Sequence, residues 1–317
     1  MRMNIKKSSV AIIGCGLVGS STAFCLVTQG ACDEIIMIDL SRERALGEVM
    51  DLNDTISYLD RNVKVKVGKY SDCKDVDIVV ITAGAPPKPG QSRLDMTEIS
   101  ASIMRSIVPE VMASGFDGVF IVVSNPVDIM AYLVYQLSGL PKNQVIGTGT
   151  SIDTARLTNF IAERIGIDPR NVQAYAMGEH GDSLMVPWSS VTIAGKAFHD
   201  VIQDNPDMLQ DLDLQDLVYQ TTREGWEIYN RKGTTYYGVA SACVRIIKCV
   251  LYDENRIIPV SALLEGEYGE TGVYAGVPCI LNKSGASDIL EIHMNEEEQE
   301  AFKKSTDQMR EYIQRIS

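Results

Sequence analysis

The sequence predicts an α/β fold, a doubly wound parallel sheet followed by an α+β unit with antiparallel strands. Three observations carry this. Near-continuous apolar runs recur at residues 10–13, 35–38, 76–82 and 118–123, with helical patterns among them. Strands buried on both faces under crossover helices read this way. A glycine turn, Gly14-Cys15-Gly16-Leu17-Val18-Gly19, leads from the first run straight into a helical pattern. Beyond residue 150 the rhythm changes, and residues 256–292 hold short strand-like runs separated by Gly and Asn turns, as an antiparallel meander does. The composition shift near residue 150 sets the expected division into one domain at 8–148 and a second at 149–317.

In chain order, helices are expected at 20–29 and 42–53, a strand at 63–67, and a buried strand at 76–82 ending in Ala83-Gly84-Ala85. Small residues at the carboxyl end of such a strand let a ligand lie against the backbone. Three prolines and a glycine interrupt Pro86-Pro87-Lys88-Pro89-Gly90-Gln91-Ser92-Arg93, so this segment is read as a loop. A long helix follows at 94–114, then a strand at 118–123 that closes with Ser124-Asn125-Pro126-Val127-Asp128. Asn125 thus falls at the carboxyl edge, where open α/β sheets bind ligands. Helix 129–137 and strand 144–147 complete the alternation. In the second half, Ser151–Ile165 is a helix carrying Asp153 and Arg156, and 171–177 is a strand running into Gly178-Glu179-His180-Gly181-Asp182-Ser183. A further strand is expected at 188–193, then helices at 209–232, ended by Gly233, and at 238–251. The terminal helix, 295–316, leads with acids and carries Lys and Arg later, as the helix dipole favours.

Charge narrows the partners. A net charge of −13 over 317 residues repels phosphate backbones, so no nucleic acid is expected. No apolar run approaches the roughly 18 residues of a membrane helix, and the basic start runs into the first strand without a signal-peptide pattern. The seven cysteines are odd in number and show no metal-ligand spacing, which reads as reduced thiols in a cytoplasmic protein. The three histidines, His180, His199 and His293, are too scattered to bind a metal together.

The chemistry starts at residues 10–39. Gly14 permits a tight turn, Gly16 lets the backbone approach a pyrophosphate, and Gly19 lets the helix pack closely on the strand. The helix N-terminus offers free N–H groups to phosphates. Asp39, twenty residues past Gly19, is placed to accept from both ribose hydroxyls and to repel a 2′-phosphate, favouring NAD over NADP. The bland alternative is a tight turn in an α/β core. Hydride transfer to such a cofactor needs a proton relay at the substrate oxygen. His180 lies in a glycine-flanked polar turn and suits that role, or that of a structural histidine. Asp153 is a carboxylate able to orient it. Arg156, one helix turn on, is either a bidentate carboxylate clamp or a solvated arginine. Arg93 at the end of the loop can close over a site and polarise a carbonyl.

From end to end the chain resembles the L-lactate/L-malate dehydrogenase family, most of all its bacterial L-lactate members. The resemblance rests on the glycine turn with Asp39, Ala83-Gly84-Ala85, Lys88-Pro89-Gly90-Gln91-Ser92-Arg93-Leu94-Asp95, Ser124-Asn125-Pro126-Val127-Asp128, Gly147-Thr148, Asp153-Thr154-Ala155-Arg156, Gly178-Glu179-His180-Gly181-Asp182-Ser183 and Thr235-Tyr236-Tyr237-Gly238, in the family's order. It implies a Rossmann domain followed by a catalytic domain, and NAD-dependent interconversion of a small 2-oxo acid, pyruvate first, with its L-2-hydroxy acid. It implies His180 as acid/base, Asp153 as its partner, Arg156 as the carboxylate clamp and Arg93 as the residue polarising the carbonyl. It also implies Asn125 positioning substrate and nicotinamide, and Thr235 on the pocket floor. Gly14, Gly16, Val18, Gly19, Asp39, Tyr70, Gly84, Ala85, Val123 and Asn125 map to the cofactor site. A homodimer or homotetramer is implied.

Two departures matter. Pro87 stands where malate enzymes of the family place arginine and lactate enzymes glutamine, so a second substrate carboxylate finds no partner and oxaloacetate is disfavoured. Gln91 replaces the family's usual glutamate, and both changes suit a permissive, more apolar pocket. An enzyme of the L-2-hydroxyisocaproate type, acting on larger apolar 2-oxo acids, is therefore the alternative. Thr158 and Gln173 replace the arginine and histidine that bind fructose 1,6-bisphosphate in activated bacterial members, and neither holds a phosphate by charge. A non-catalytic nucleotide-binding protein is the reading from another class. It would not need His180, Asp153, Arg156 and Arg93 together.

Overall fold

The computed structural model of the protein describes residues 7–85, 93–206 and 212–316. Strands β1 (Ser9–Ile13), β2 (Glu34–Ile38), β3 (Lys64–Val67), β4 (Ile78–Ile81), β5 (Val119–Val122) and β6 (Val145–Gly147) alternate with helices α1 (Leu17–Thr28), α2 (Arg42–Thr55), α3 (Arg93–Ala113) and α4 (Val127–Ser138). These strands pair in parallel, in the order β6-β5-β4-β1-β2-β3. Every residue of β1, β4 and β5 is buried, which is why these runs are apolar throughout rather than alternating. Strand order reverses between β1 and β4. The crevice at the carboxyl ends of those two strands is where such sheets bind ligands.

The second half joins the same sheet. β10 (Arg256–Glu265), β11 (Thr271–Asn282) and β12 (Gly285–Ile289) form an antiparallel meander, and β10 meets β6 through Ser261 opposite Gly147. A Cβ at Gly147 would stand 2.7 Å from the Ser261 Cβ, so glycine allows the antiparallel ladder to abut the parallel one. The result is one nine-stranded sheet that runs through the composition shift at residue 150. Helix α5 (Ser151–Ile165) follows β6 directly.

Two expected strands differ. The stretch 171–177 pairs as a strand only at β7 (Val172–Gln173). Beyond it Met177 bridges Met185 and Gly178 bridges Gly276, with Gly178 at φ 86°. That left-handed residue turns the chain inward toward β11 before a ladder can continue. The stretch 188–193 opens with a 3₁₀ turn, Trp188–Ser190, before β8 (Thr192–Ile193), which pairs with β9 (Lys196–Ala197). Here Pro187 lacks an N–H, and the Ser189 N–H donates to Glu298 instead of a ladder partner (2.9 Å). The helix expected at 209–232 runs Leu214–Lys232, capped by Asp213 and ended by Gly233 at φ 84°, with 207–211 outside the described residues.

Candidate active site

At the carboxyl end of β1, Gly14 adopts φ 103°, and a Cβ there would lie 2.7 Å from the Ala83 nitrogen. No side chain fits between these two strand ends. Thr82 Oγ1 donates to the Gly14 carbonyl at 2.7 Å and holds the turn. A Cβ at Gly19 would fall 1.9 Å from the Gly14 oxygen, so α1 packs on the turn only because that residue is glycine. Gly16 is different: a Cβ there meets nothing within 4 Å. Packing does not require it, and the space it leaves faces outward at the first turn of α1. Its cap position offers no side-chain acceptor to that turn, so free N–H groups remain for an anion. By contrast α2 is capped by Ser41, whose hydroxyl accepts from the Arg44 N–H.

Asp39 directly follows β2 and turns back on the same loop. Its Oδ2 accepts from the Cys15 N–H at 2.7 Å and its Oδ1 from the Ser41 N–H at 2.8 Å. Each carboxylate oxygen keeps a further lone pair for a ribose hydroxyl. The half-buried Tyr70 lies within reach of the Asp39 charge, which after burial is the next cause of its raised pKa. Gly84 and Ala85 are exposed after β4, and Val123 is buried just past β5. Ser124 Oγ donates to the Ala83 carbonyl at 2.6 Å, tying these two strand ends together beside the exposed Asn125. Val18 is half-buried in α1. The residues expected to hold a cofactor therefore line one edge of the sheet, at the switch in strand order.

The other end of the site is built on α5. Asp153 and Arg156 lie on its buried face, 2% and 8% exposed. Asp153 Oδ2 bonds to His180 Nδ1 at 2.5 Å, and its Oδ1 accepts from Arg156 at 3.0 Å. The His180 side chain keeps 24% of its surface exposed, so with Nδ1 engaged, Nε2 is the nitrogen left to face a substrate. The turn that carries it is locked. The Glu179 N–H donates to Ser305 Oγ at 2.7 Å, and buried Glu179 accepts from the Ser183 hydroxyl at 2.7 Å. Burial lowers the His180 pKa, but the charge and hydrogen bond of Asp153 outweigh it, and the net direction is upward. Burial likewise raises Asp153, while His180 and then Arg156 outweigh it and hold the carboxyl below its ordinary value. One carboxylate thus fixes the imidazole's orientation and favours its protonated form.

Arg156 and Thr235 share a cavity of about 500 Å³ that Ile152, Val239, Glu224, Lys232 and Arg245 also line, and His180 is not among its walls. A cavity of about 510 Å³ opens beside Ser8, Asp77, Asn143 and Lys283, at the opposite, amino ends of the strands, where none of the expected residues falls. Pro87 lies outside the described residues. Arg93 begins α3, but its side chain is outside them as well. Among the described residues no group of three His, Cys, Asp or Glu side chains is placed to hold a metal, and no helix is long and apolar enough to cross a membrane. All seven cysteines are unpaired.

Two contacts were not anticipated. Glu224, on the helix Leu214–Lys232, approaches Arg156 Nε at 3.4 Å. Asp128, in the first turn of α4, accepts from the His180 backbone N–H at 2.9 Å. Glu224 sits in an ordinary amphipathic pattern that gives no local signal. Asp128 closes the Ser124–Asp128 motif, and an acid kept at a strand end beside Asn125 was the available clue.

Comparison with known proteins places these features in one family. A family model described as lactate/malate dehydrogenase, NAD binding domain, matches residues 8–147. A second, lactate/malate dehydrogenase, alpha/beta C-terminal domain, matches residues 150–317. The chain is 50% identical over 316 residues to L-lactate dehydrogenase 3 of Bacillus cereus, covering 100% of this chain and 99% of that one. It is 45% identical over 314 residues to L-lactate dehydrogenase 2 of Lactococcus lactis subsp. lactis, covering 99% and 100%. Among solved structures it is similar to the minor L-lactate dehydrogenase from Enterococcus mundtii in the ligands-bound form, with TM-score 0.95, 42% identity and 98% of each chain covered.

Proposed function

Because the chain belongs to the lactate/malate dehydrogenase family, we propose that it is an NAD-dependent L-lactate dehydrogenase with His180 as its acid/base. The observation that carries the reading is the chain Arg156–Asp153–His180, buried at one end and open at the imidazole. It combines a cation for a substrate carboxylate with a proton donor held in one tautomer. The division of labour follows, with residues 8–148 as NAD-binding domain and 149–317 as catalytic domain. Gly14, Gly16, Val18, Gly19, Asp39, Tyr70, Gly84, Ala85, Val123 and Asn125 take the cofactor. Gly16 supports this, since it opens the first turn of α1 and no packing requires a glycine there.

A bound NAD would supply the hydride donor or acceptor for the substrate C2. Arg156 holds the substrate carboxylate, and Thr235 bounds the pocket they share. In reduction, His180 gives its Nε2 proton to the carbonyl oxygen of pyruvate as that oxygen becomes a hydroxyl, and Asp153 stabilises the imidazolium until then. In oxidation of L-lactate the proton returns to Nε2. Arg93 polarises the carbonyl, and Asn125, at the strand edge, positions it beside the nicotinamide. The same reading makes the protein a cytoplasmic homodimer or homotetramer acting on a small 2-oxo acid.

Pro87 supports pyruvate over oxaloacetate, because desolvating a second carboxylate without a cation is costly. The missing loop glutamine at Pro87 and the uncharged Gln91 support the second reading, a larger aliphatic or aromatic 2-oxo acid. Rates with NADH on pyruvate, oxaloacetate, 2-oxoisocaproate and phenylpyruvate decide. Pyruvate is expected to lead and oxaloacetate to trail by at least about 100-fold, and a lead for oxaloacetate overturns the argument from Pro87. Adding fructose 1,6-bisphosphate is expected to leave the half-saturating pyruvate concentration unchanged. Thr158 donates its hydroxyl to Ala155 and Gln173 is exposed, and neither is cationic. A clear fall in that concentration would show that other residues bind the effector.

A further inference from the structure

Asp128 takes no part in the relay described above, yet it is bonded to its centre. It is the second residue of α4, three past Asn125, and is 3% exposed. Its Oδ2 accepts from the His180 N–H at 2.9 Å. Its Oδ1 is buried and, among the described residues, meets no donor in hydrogen-bonding geometry. The same holds for the hydroxyl of Ser261 on β10, which lies close enough to favour the charged carboxyl. A buried carboxylate with an oxygen left over is costly, and burial pushes the Asp128 pKa up to about 6. An asparagine would offer the His180 N–H the same acceptor without that cost. What only the acid supplies is a negative charge behind the imidazole. The other charged groups facing this point are Glu179 in the turn, Asp153 at Nδ1, and Arg156 beyond it.

The geometry points to Asp128 as a second, positioning acid of the proton relay, which pins the His180 main chain to the Asn125 turn and stabilises the imidazolium by its charge. This rests on the reading of His180 as the acid/base. The complete enzyme carrying Asp128→Asn, assayed with NADH and pyruvate across the range where histidine titrates, tests it. The midpoint of the alkaline fall in kcat/KM is expected to move down by about one pH unit, so the rate above it drops about tenfold. Thermal stability and NADH affinity stay near those of the parent, because the amide still accepts the His180 N–H. An unchanged or raised midpoint overturns the proposal and leaves Asp128 a purely structural group. Should that variant fail to fold, Asp128→Ser, which also removes the charge behind the imidazole, decides: the midpoint moves down likewise, and no movement overturns the proposal. Undiminished turnover in a His180→Asn enzyme would sink the underlying reading instead, so the two failures are distinct.

Discussion

Replacing His180 with asparagine is expected to lower kcat/KM for pyruvate reduction by about 10³-fold, within the range that general acid–base catalysis contributes. Asparagine can still donate to Asp153 from a similar position, so the buried carboxylate keeps that partner as well as Arg156. Loss of activity should therefore come without loss of fold. Fluorescence titration with NADH should give an affinity near the parent's, since the glycine turn and Asp39 lie at the other end of the site. A loss smaller than about tenfold would place the proton relay elsewhere, and undiminished turnover would revive the reading as a non-catalytic nucleotide-binding protein. The parent's pH dependence follows from the same contact. The His180 pKa lies above its ordinary value because Asp153 outweighs burial. The imidazolium is fully present below the ordinary value and is lost only as pH rises through the raised one. Pyruvate reduction should accordingly hold through neutral pH and fall at more alkaline pH, while lactate oxidation, which needs the neutral ring, should rise over that interval.

Replacing Arg156 with lysine is expected to raise KM for pyruvate about 100-fold with a smaller change in kcat. A lysine keeps the charge but loses the planar fork that grips a carboxylate with paired N–H groups. It must also be shared with Asp153 and Glu224, which approach Arg156 at 3.0 and 3.4 Å. A compact ammonium cannot serve two carboxylates and a substrate in the geometry that a guanidinium serves. Melting temperature should fall as well. Arg156 is 8% exposed, and a lysine there keeps the charge but fewer of its hydrogen bonds, so the loss should stay below the roughly 3 kcal/mol of removing a buried partner outright. Steady-state kinetics on pyruvate separate the outcomes: an unchanged KM would mean that Arg156 serves only to hold Asp153, and that another cation receives the substrate.

The glycine turn and the place of Asp39 beside it were legible in the sequence, and the reason is locality. Gly14, Gly16, Gly19 and Asp39 act within one βαβ unit, where turn geometry and strand period fix which residue meets which. The pair Asp153 and Arg156 was legible for the same reason, since a spacing of three on a helix places both on one face. The buried parallel strands were legible because crossover helices cover both faces and leave an unbroken apolar run. Other features depend on contacts between residues far apart in the chain. The stretch at 171–177 has the composition of a strand, but Gly178 bridges Gly276 across about 100 residues and turns it aside. The abutment of β10 on β6 depends on Gly147 facing Ser261, and neither residue signals it alone. Asp128, Glu224 and Ser305 reach the site from separate helices, at distances in sequence that no periodicity records. Local backbone chemistry thus determined the fold class, the dinucleotide edge and the residue types able to move a proton. Only tertiary packing decided that His180 meets Asp153, that Asp128 lies behind it and that Arg156 faces a cavity. Those contacts are set by how the helices close on the sheet, where desolvation makes an acid beside an imidazole strong enough to matter.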